Sequence, residues 1–402
     1  MKTCDYLVIG AGVIGLCVAR NLQCKYPGSS IVLIDKESRV GEHASGRNSG
    51  VLHSGIYYSA DSLKANFTRQ GNEDWQIYCE EKKLSIDKCG KLIIASTEDE
   101  VLGFEELLNR GKNNQVNVQY VSTEEIAEID PFAKSNYPAL FVPSTATVNP
   151  VEIIESIKNE FVSNGGELLN DCAYISRKSN NDAKTSFGII SAGYMINCAG
   201  LYADKVAHEF GFGARYKILP FKGLYLYAQQ EINVPRTHIY PVPDLHNPFL
   251  GVHLTRTMSG GVKIGPTAIP ALWRENYRGF DNFKFPEMID IFHTEMKMFL
   301  GNYNNFRSLA WAELQKQSKG KLINSAGRLV DKVNEMGFTR WGKTGIRAQL
   351  FDLQYKKLEM DFVLEGDEHT LHVLNAVSPA FTCALPFAKH IVDTMVNLRS
   401  GV

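Results

Sequence analysis

The stretch that decides the fold is DYLVIGAGVIGLCVARNLQ, residues 5–23. It begins with an apolar run at residues 6–9, continues with Gly10, Gly12 and Gly15 in the spacing G-x-G-x-x-G, and then carries apolar residues at helical spacing. Glycines in this pattern turn the chain tightly, let backbone N–H groups approach a pyrophosphate, and allow a helix to pack closely on a strand. The stretch therefore predicts a strand, a tight turn and a helix that bind a dinucleotide.

A second strand follows at the distance that this interpretation requires. The segment SSIVLIDKE, residues 29–37, is apolar up to Asp35, close to where an acidic residue should meet a ribose hydroxyl. A glycine-rich turn with chance spacing would leave the position of Asp35 unexplained. We therefore predict that Asp35 and its neighbour Lys36 contact the cofactor.

Composition limits the classes of function that remain. A chain of 402 residues is too long for one core, so two domains are expected. Its 43 Lys and Arg residues balance 44 Asp and Glu residues, which gives no basic field for nucleic acid and favours a small-molecule ligand. The eight cysteines lack C-x-x-C spacing and no signal peptide is evident, so reduced thiols in a cytoplasmic protein are expected. No apolar run reaches the roughly 18 residues of a membrane span, although peripheral membrane contact stays open.

Further motifs make the interpretation more specific. They are GRNSGVLHSGIYY (46–58), CGKLIIA (89–95), NCAGLYAD (197–204), YPVPDLHNPFLGVHLT (240–255), GIRAQLFD (345–352) and LHVLNAVSPAFT (371–382). Together with the opening fingerprint they resemble the L-2-hydroxyglutarate dehydrogenase/oxidase family, which belongs to the D-amino-acid-oxidase-like flavoproteins. The resemblance implies FAD as cofactor and an α/β (α+β) fold, with a Rossmann-like FAD-binding domain and a discontinuous, mainly antiparallel-sheet substrate domain.

The organisation of the chain fits this discontinuous arrangement. The predicted FAD-binding domain comprises residues 1–89, 148–214 and 342–402, and the predicted substrate domain comprises residues 90–147 and 215–341. The segment NPVEIIESIKNEFVSNGG predicts the returning helix, with Asn149 as N-cap, Glu152 completing a capping box, and an apolar face formed by Val151, Ile154, Ile157 and Phe161.

The resemblance also implies further cofactor contacts. Small residues and backbone donors of the first motif would line the FAD pyrophosphate and ribityl region: Ser45, Arg47, Asn48, Ser49 and Gly50. An exposed loop position remains the alternative for Arg47. Ala199 and Gly200 lie at the carboxyl end of a predicted strand, where parallel sheets bind ligands, although an ordinary strand-to-helix turn would have the same pattern.

The C-terminal helix is the last predicted cofactor element. Ser378 is its predicted N-cap, with Pro379 behind it, and Thr382 follows in the first turn. A helix N-terminus at this position would stabilise negative charge on a reduced flavin. The sequence leaves open whether Pro386 kinks this helix or marks a later start.

Two histidines are candidates for the catalytic base. His53 would run alongside the flavin ring, and imidazole can accept a hydroxyl proton near neutral pH. A histidine that only hydrogen-bonds the flavin is the alternative, and covalent flavin attachment is not favoured. His253 lies in a predicted hairpin, FLGVHLTRTMSGGVKIGP, where alternation places it opposite the apolar face. An exposed hairpin histidine is its alternative, whereas the family resemblance favours a catalytic or substrate-binding role.

Substrate binding is assigned to an arginine and a tyrosine. Arg347 occupies the position of a G-[LIV]-R element that grips a substrate carboxylate in this superfamily, and its planar fork suits that task. A structural arginine with a buried carboxylate partner is the alternative. Tyr58 is the second candidate, although a core role for either Tyr57 or Tyr58 stays open.

The predicted function is FAD-dependent oxidation of a small L-2-hydroxy acid by hydride transfer, and the family resemblance implies L-2-hydroxyglutarate as substrate and 2-oxoglutarate as product. Leu224 stands where the family usually has an acidic residue, and residues 307–329 do not match it closely; a changed pocket wall at these positions would shift specificity without changing the reaction type. An amine or amino-acid oxidase of the same superfamily and a non-catalytic flavin-binding sensor are the alternatives. The electron acceptor is expected to be oxygen, a quinone or an electron-transfer protein. No metal is predicted, because the H-x-x-H of His369 and His372 lacks a third ligand nearby.

Overall fold

The computed structural model describes residues 1–229, 234–243 and 251–401. Residues 244–250, which belong to the motif YPVPDLHNPFLGVHLT, lie outside the described part of the chain.

The chain combines many short strands with ten α-helices in its described residues. The strands are β1 (Lys2–Ile9), β2 (Ile31–Ile34), β3 (Val51–Leu52), β4 (Ile86–Asp87), β5 (Lys91–Ile94), β6 (Gln119–Val121), β7 (Ala139–Val142), β8 (Ala146–Val148), β9 (Glu167–Leu169), β10 (Tyr174–Arg177), β11 (Asp182–Thr185), β12 (Gly188–Asn197), β13 (Tyr216–Gly223), β14 (Leu226–Tyr227), β15 (His238–Pro241), β16 (His253–Arg256), β17 (Val262–Gly265), β18 (Ile269–Pro270), β19 (Arg340–Trp341), β20 (Gly345–Asp352), β21 (Lys357–Leu358), β22 (Val363–Gly366) and β23 (Thr370–Asn375). The helices are α1 (Val13–Lys25), α2 (Leu63–Lys82), α3 (Glu98–Asn113), α4 (Thr123–Ile129), α5 (Pro150–Ser163), α6 (Ala203–Glu209), α7 (Phe285–Gly301), α8 (Phe306–Gln315), α9 (Lys319–Ala326) and α10 (Ala380–Ser400).

The first sheet contains the predicted dinucleotide unit. Its strand order is β10-β11-β12-β1-β2-β9, and β23 also pairs with β12. Strand β1 runs parallel to both β12 and β2, and its second half is buried. Helices α1, α5 and α10 share one hydrophobic core with this sheet, as expected for a parallel sheet covered by helices. The predicted α/β (α+β) class is confirmed.

Two further sheets are largely antiparallel. One has the order β19-β14-β17-β16-β15-β5-β7-β6 and the other the order β18-β13-β20-β21. Strand β20, in the predicted FAD-binding domain, pairs along its whole length with β13, in the predicted substrate domain, so the predicted division separates two strands of one sheet. The division into two domains stays a prediction.

Helix α5 agrees with the sequence in its bounds and differs in two details. Asn149 is its N-cap and accepts a hydrogen bond from the N–H of Val151 at 3.2 Å. The predicted capping box is wrong, because the carboxylate of Glu152 instead accepts from the N–H of Ser85 at 3.4 Å. The predicted apolar face is also wrong at Val151, which is exposed, whereas Ile153 is buried.

Helix α10 is a single helix with Pro386 inside it, and its N-cap is Pro379 rather than the predicted Ser378. Proline has no N–H, so the carbonyl of Thr382 lacks a helical donor. This carbonyl points at Gly71 of α2, where an added Cβ would lie 2.0 Å from its oxygen. One residue earlier, the carbonyl of Phe381 accepts a hydrogen bond from the buried Trp75 indole at 2.9 Å. Pro386 and Gly71 together therefore set the close crossing of α2 and α10.

In the described residues, no helix combines the length and the apolar character that a bilayer crossing needs. All eight cysteines are unpaired thiols.

We expect Gly71→Ala to lower the free energy of unfolding by ~1–3 kcal/mol, because the added methyl group overlaps a backbone carbonyl that cannot move independently of α10. Gly103→Ala in α3 is the matched control, since its Cβ would be 3.5 Å from the nearest atom, and helix propensity should leave it neutral or up to ~1 kcal/mol more stable. Urea unfolding of both variants measures the difference. Equal stability of the two variants would contradict the proposed packing.

Candidate active site

A cavity of about 620 Å³ is lined by residues of the first sheet and of the four-stranded sheet, and its size is that of a cofactor or substrate site. Most predicted cofactor residues line it: Gly10, Gly12, Asp35, Lys36, Ser45, Arg47, Asn48, Ser49, Ala199, Gly200, Ser378, Pro379 and Thr382. His53 and Arg347 line the same cavity. The remaining predicted site residues, Gly15, Gly50, Tyr58 and His253, do not line it.

The glycine turn after β1 is shaped by backbone contacts. Gly10 has φ +103°, and an added Cβ would lie 2.5 Å from the carbonyl oxygen of Cys198. A Cβ on Gly15 would lie 1.9 Å from the oxygen of Gly10. Gly15 thus acts through packing, while Gly10 and Gly12 leave backbone exposed to the cavity at the N-terminus of α1. This is the geometry that favours a phosphate group.

Asp35 ends β2 beside this turn. Its Oδ2 accepts from the N–H of Ala11 at 2.7 Å, and its Oδ1 accepts from the N–H of Glu37 at 2.9 Å. Burial raises the pKa of Asp35. Each carboxylate oxygen retains a second acceptor position, so Asp35 can still receive a hydroxyl from a ligand.

Residues 44–50 close the cavity over the N-terminus of α1. The hydroxyl of Ser45 accepts from the N–H of Val13 at 2.9 Å, and the amide of Asn48 donates to the carbonyl of Ser45 at 2.5 Å. Gly50 has φ +77°, and a Cβ there would lie 2.6 Å from the carbonyl oxygen of Val148. Gly50 therefore fixes the path of the loop and does not contact the cavity.

Arg47 is half-buried, whereas the sequence left an exposed loop position open. Its Nε donates to the carbonyl of Glu42 at 2.6 Å, and its guanidinium lies 4.2 Å from the ring centroid of Tyr277. No sequence pattern identified this partner, because Tyr277 is 230 positions away in a segment without a cofactor motif.

Tyr277 belongs to a segment, residues 273–283, which we name the strap. Arg274 of the strap forms a buried two-point ion pair with Asp204, at 2.7 and 2.8 Å. Glu275 pairs with Lys36 at 2.8 Å, and both Lys36 and the nearby Leu201 line the cavity. The strap therefore holds cavity residues in place from outside, through side chains that sequence patterns did not identify.

Glu37, His43 and Glu275 place ligand atoms within 4.8 Å of one another. His43 Nε2 lies 2.9 Å from Glu37, and Lys36 contacts both Glu37 and Glu275. The hydrogen bond with His43 is the main cause that lowers the pKa of Glu37 to about 2. Because Lys36 and His43 already pair with the two carboxylates, we interpret this group as an ion-pair network.

His53 follows β3 and lines the cavity. Its backbone N–H donates to the hydroxyl of Thr382 at 3.1 Å, which fixes it beside the start of α10. Its Nδ1 is buried and has no hydrogen-bond partner among the described residues. Burial, followed by the positive charge of Lys91, lowers the pKa of His53 well below its usual range. The imidazole is therefore neutral at physiological pH and can accept a proton.

His253 is buried, so the exposed-hairpin alternative is wrong. Its Nδ1 is 2.9 Å from the carbonyl of Gly251 and must donate to it, which leaves Nε2 as the proton-accepting nitrogen. The ring stacks on Tyr240 with a centroid distance of 3.8 Å. Burial lowers the pKa of His253 to about 3.

Arg347 lies on β20, opposite Phe221 of β13. It is close enough to His53 and His253 to lower the pKa of both, and Tyr58 and Tyr225 are its main electrostatic neighbours. Tyr58 thus lies near Arg347 but does not line the cavity. Leu224 does not line the cavity either, although its neighbours Gly223 and Tyr225 do.

Buried lysines are the largest feature that the sequence analysis missed. Burial lowers the pKa of Lys91 to about 7 and the pKa of Lys263 to about 8, and no carboxylate counteracts either shift. Lys91 lies 4.4 Å from the ring centroid of Tyr57, whose hydroxyl has no partner in the described residues. A lysine at the start of the apolar strand KLII, or inside VKIG, is the signal that could have identified them.

Comparison with known proteins shows the family of this chain. A family model described as FAD dependent oxidoreductase (DAO) matches residues 5–394. The chain belongs to this family. L-2-hydroxyglutarate dehydrogenase from Escherichia coli strain K12 is 32% identical over 403 residues, which cover 99% of this chain and 94% of that protein. Mitochondrial L-2-hydroxyglutarate dehydrogenase from Homo sapiens is 32% identical over 412 residues, covering 97% and 88%. The resemblance found from the motifs is confirmed.

Solved structures agree on the fold of this FAD-dependent oxidoreductase. L-α-glycerophosphate oxidase from Mycoplasma pneumoniae, with FAD bound, superposes with a TM-score of 0.77 at 22% identity and covers 100% of this chain and 95% of that one. Glycine oxidase from Geobacillus kaustophilus gives a TM-score of 0.72 at 16% identity, with coverage of 100% and 95%.

The residues around the cavity fit FAD. Gly10 and Gly12 leave room for the pyrophosphate at the α1 N-terminus, Asp35 retains acceptor positions for a ribose, and the start of α10 faces the cavity beside His53. These residues would hold the cofactor, and Ala199 and Gly200 would border it from the other side.

We expect Arg274→Met to weaken FAD retention at least tenfold, because breaking a buried ion pair costs ~3–5 kcal/mol and loosens the strap against Lys36 and Arg47. The ratio of flavin to protein after dilution and gel filtration measures retention. Arg278→Met, at an exposed position of the same strap, is the control and should retain FAD. Full retention by Arg274→Met would contradict the assigned role of the strap.

Proposed function

We propose that this FAD-dependent oxidoreductase oxidises L-2-hydroxyglutarate to 2-oxoglutarate. The observation that supports this proposal best is that Lys91, Lys263 and Arg347 all lie close enough to His253 to lower its pKa, while both lysines are buried and no carboxylate counteracts their own pKa shifts. The names of the relatives at 32% identity support the same substrate.

Buried cations favour an anionic ligand. A buried charge is costly unless an opposite charge or hydrogen bonds compensate it. A dicarboxylate can present one carboxylate to Arg347 and a second to the buried lysines, whose pKa shifts no carboxylate counteracts. A small 2-hydroxy acid with two carboxylates therefore fits better than a monocarboxylate such as lactate.

Each residue has a distinct task in this proposal. Arg347 holds the carboxylate next to the reacting carbon through its planar fork. Lys91, which is buried beside Tyr57 and does not itself line the cavity, is assigned to the distal carboxylate. His53 Nδ1, which is buried without a partner in the described residues, accepts the proton of the substrate hydroxyl as the C–H and O–H bonds break and the C=O bond forms. FAD, when bound, supplies the acceptor for the carbon-bound hydrogen and its two electrons.

His253 is assigned to positioning rather than to proton transfer. Its Nδ1–H is held by Gly251, and stacking on Tyr240 fixes the plane of its ring. A fixed Nε2 suits a hydrogen bond from the substrate. His53 is preferred as base because it lines the cofactor cavity and His253 does not.

The electron acceptor and the cellular location belong to the same proposal. The electron acceptor is oxygen, a quinone or an electron-transfer protein, and the protein is cytoplasmic, with peripheral membrane contact if a quinone is the acceptor.

Anaerobic titration of the FAD-loaded protein tests the function. We expect L-2-hydroxyglutarate to bleach the oxidised flavin absorbance, and D-2-hydroxyglutarate, L-lactate, L-glutamate and sarcosine to leave it unchanged at equal concentration. Bleaching by an amine alone would support the amine-oxidase alternative, and no bleaching by any compound would support the flavin-binding sensor.

Removing the charge of Lys91 and, separately, the distal carboxylate of the substrate tests whether these two groups contact each other. We expect Lys91→Met to lower kcat/KM for L-2-hydroxyglutarate by about 10- to 100-fold, the range for a hydrogen bond to a charged group, and to change slow turnover of L-lactate little. Arg347→Met should impair both substrates. Lys88→Met, in an exposed ion pair with Glu80, is the control. Equal losses on both substrates in Lys91→Met would refute the assigned role of Lys91.

The pH dependence follows from the same groups. Because the pKa of His53 is lowered, the base form is already present at its ordinary pKa of about 6.5, and kcat/KM should not rise with pH between about 6.5 and 8. Lys91 loses its charge as pH rises through about 7, so kcat/KM should fall on the alkaline side. Lys91→Arg should move this fall to higher pH, because arginine keeps its charge. An unchanged alkaline limb in Lys91→Arg would assign it to another group.

A further inference from the structure

The two histidines of the proposed site lie on different sheets. His53 directly follows β3, which belongs to a three-stranded sheet with the order β3-β8-β4. His253 begins β16 of the eight-stranded sheet that also contains β5 and β17. The position of one histidine relative to the other therefore depends on the contacts that join these two sheets.

Three residues join the two sheets through a closed ring of hydrogen bonds. The backbone N–H of Arg256 donates to Nδ1 of His238 at 3.1 Å. Because Nδ1 accepts, a neutral His238 carries its proton on Nε2, which donates to the hydroxyl of Thr147 at 3.0 Å. The hydroxyl of Thr147 in turn donates to the backbone carbonyl of Arg256 at 3.3 Å. We name Thr147, His238 and Arg256 the clasp.

The clasp lies close to both histidines of the site along the chain. Thr147 is in β8, the central strand of the three-stranded sheet, and pairs with Val51, which stands two residues before His53. Arg256 is in β16, three residues after His253. The clasp therefore connects the backbone next to His53 with the backbone next to His253.

An ion pair adds a second link between the same two sheets. Nε of Arg256 donates to the carboxylate of Asp87 in β4 at 2.6 Å, and Asp87 pairs with Thr147 in the three-stranded sheet. Arg256 thus reaches this sheet twice, with its backbone through His238 and Thr147 and with its side chain through Asp87.

Burial fixes the geometry of the clasp. His238 is fully buried and Thr147 is almost fully buried, so a broken hydrogen bond would leave a polar group that water cannot reach. Burial, followed by the positive charge of Lys91, lowers the pKa of His238 to about 3, which keeps its ring neutral. A buried polar network in which every member has a partner holds one arrangement rather than several.

We propose that the clasp is a positioning device, which sets the place of His53 relative to the substrate. The inference rests on the proposed function, in which His53 accepts the hydroxyl proton while Arg347 and Lys91 bind the carboxylates. Arg347 is on β20 and Lys91 is on β5, and neither strand belongs to the three-stranded sheet. Different sheets thus hold the base and the bound substrate, so a small shift between them slows the chemical step more than it weakens binding.

Anaerobic bleaching of the flavin by L-2-hydroxyglutarate tests the clasp. In the FAD-loaded protein we expect Thr147→Val to lower the limiting rate of bleaching about 10- to 100-fold, because valine keeps the branched shape of threonine but removes the hydroxyl. The half-saturating substrate concentration should change little, since Arg347 and Lys91 are untouched. Thr147→Ser, which keeps the hydroxyl, should restore most of the rate.

Thr145→Val is the matched control for this experiment. Thr145 is fully buried and stands two residues before Thr147, and its hydroxyl has no partner among the described residues. The same substitution should therefore leave the limiting rate unchanged. Equal losses of rate in the two valine variants would show a general disturbance of this segment and would overturn the proposal.

The tautomer of His238 gives a reading that does not depend on the substrate. We assign its signal in nitrogen NMR spectra as the imidazole signal that disappears in His238→Gln. A neutral ring protonated at Nε2 is expected, and the signal should change in Thr147→Val. A ring protonated at Nδ1 would contradict the ring of hydrogen bonds and overturn the proposal.

The same measurements separate failure of the clasp from failure of the proposed function. Bleaching of the unmodified protein by a different compound would refute the proposed substrate, and the variants would then be compared with that compound. No bleaching by any compound would refute both proposals. A lower thermal midpoint of Thr147→Val with an unchanged limiting rate would show that the clasp only stabilises the fold. Flavin content, measured for every variant, confirms that the compared proteins are loaded.

Discussion

The contact between two backbone turns sets the position of everything else in the site. Gly10, after β1, approaches the carbonyl of Cys198, after β12, so closely that no side chain fits between them. Parallel pairing of β1 with β12 and β2 brings the ends of all three strands to one edge of the sheet. The loop of residues 44–50 and the start of α10 then have one surface to pack on, and the cofactor cavity forms where they meet.

The charged residues in and around this cavity form two regions that differ in their pairing. Around Asp35 and Lys36, acids and bases pair with one another through the strap, so the protein itself satisfies the charges. Near His253, Lys91 and Lys263 are buried without such pairing, and burial lowers the pKa of both. The protein itself satisfies the charges of the first region, whereas in the proposed function an anionic substrate would supply the compensating charge for the second. A binding site for a charged substrate has this imbalance, since the protein gains the compensating charge only from the ligand.

The sequence predicted what depends on local pattern. The β1–α1 turn, the N-cap Asn149 and the hairpin of β16 and β17 follow from spacing over a few residues, and the structure has all three. Features that depend on distant contacts were missed or left open. The burial of His253 depends on Tyr240, and the exposure of Val151 depends on which side of α5 meets the sheet.

Pro386 and the buried lysines are two further cases in which local sequence pattern could not predict the structure. Local propensity predicts that Pro386 breaks or kinks the helix. In the structure the helix continues, and the Thr382 carbonyl, which lacks a helical donor, packs against Gly71 of α2. Lysine is normally a surface residue, so Lys91 and Lys263 resemble edge-strand residues until the sheet around them is known. In both cases the deciding partner lies far away in the sequence.

The separation of the two regions has a consequence for how this family can vary. The residues proposed to hold FAD come from the first sheet and its loops, whereas those proposed to bind the substrate, Arg347, Lys91 and Lys263, come from β20, β5 and β17 of the other sheets. Oxidases of glycerophosphate and glycine share the fold at 22% and 16% identity, so the fold itself does not select the substrate. Selection must reside in side chains that can change without disturbing the dinucleotide turn. A lysine that begins or interrupts a buried strand meets this requirement, because the backbone pairing of the strand is independent of which side chain stands at that position.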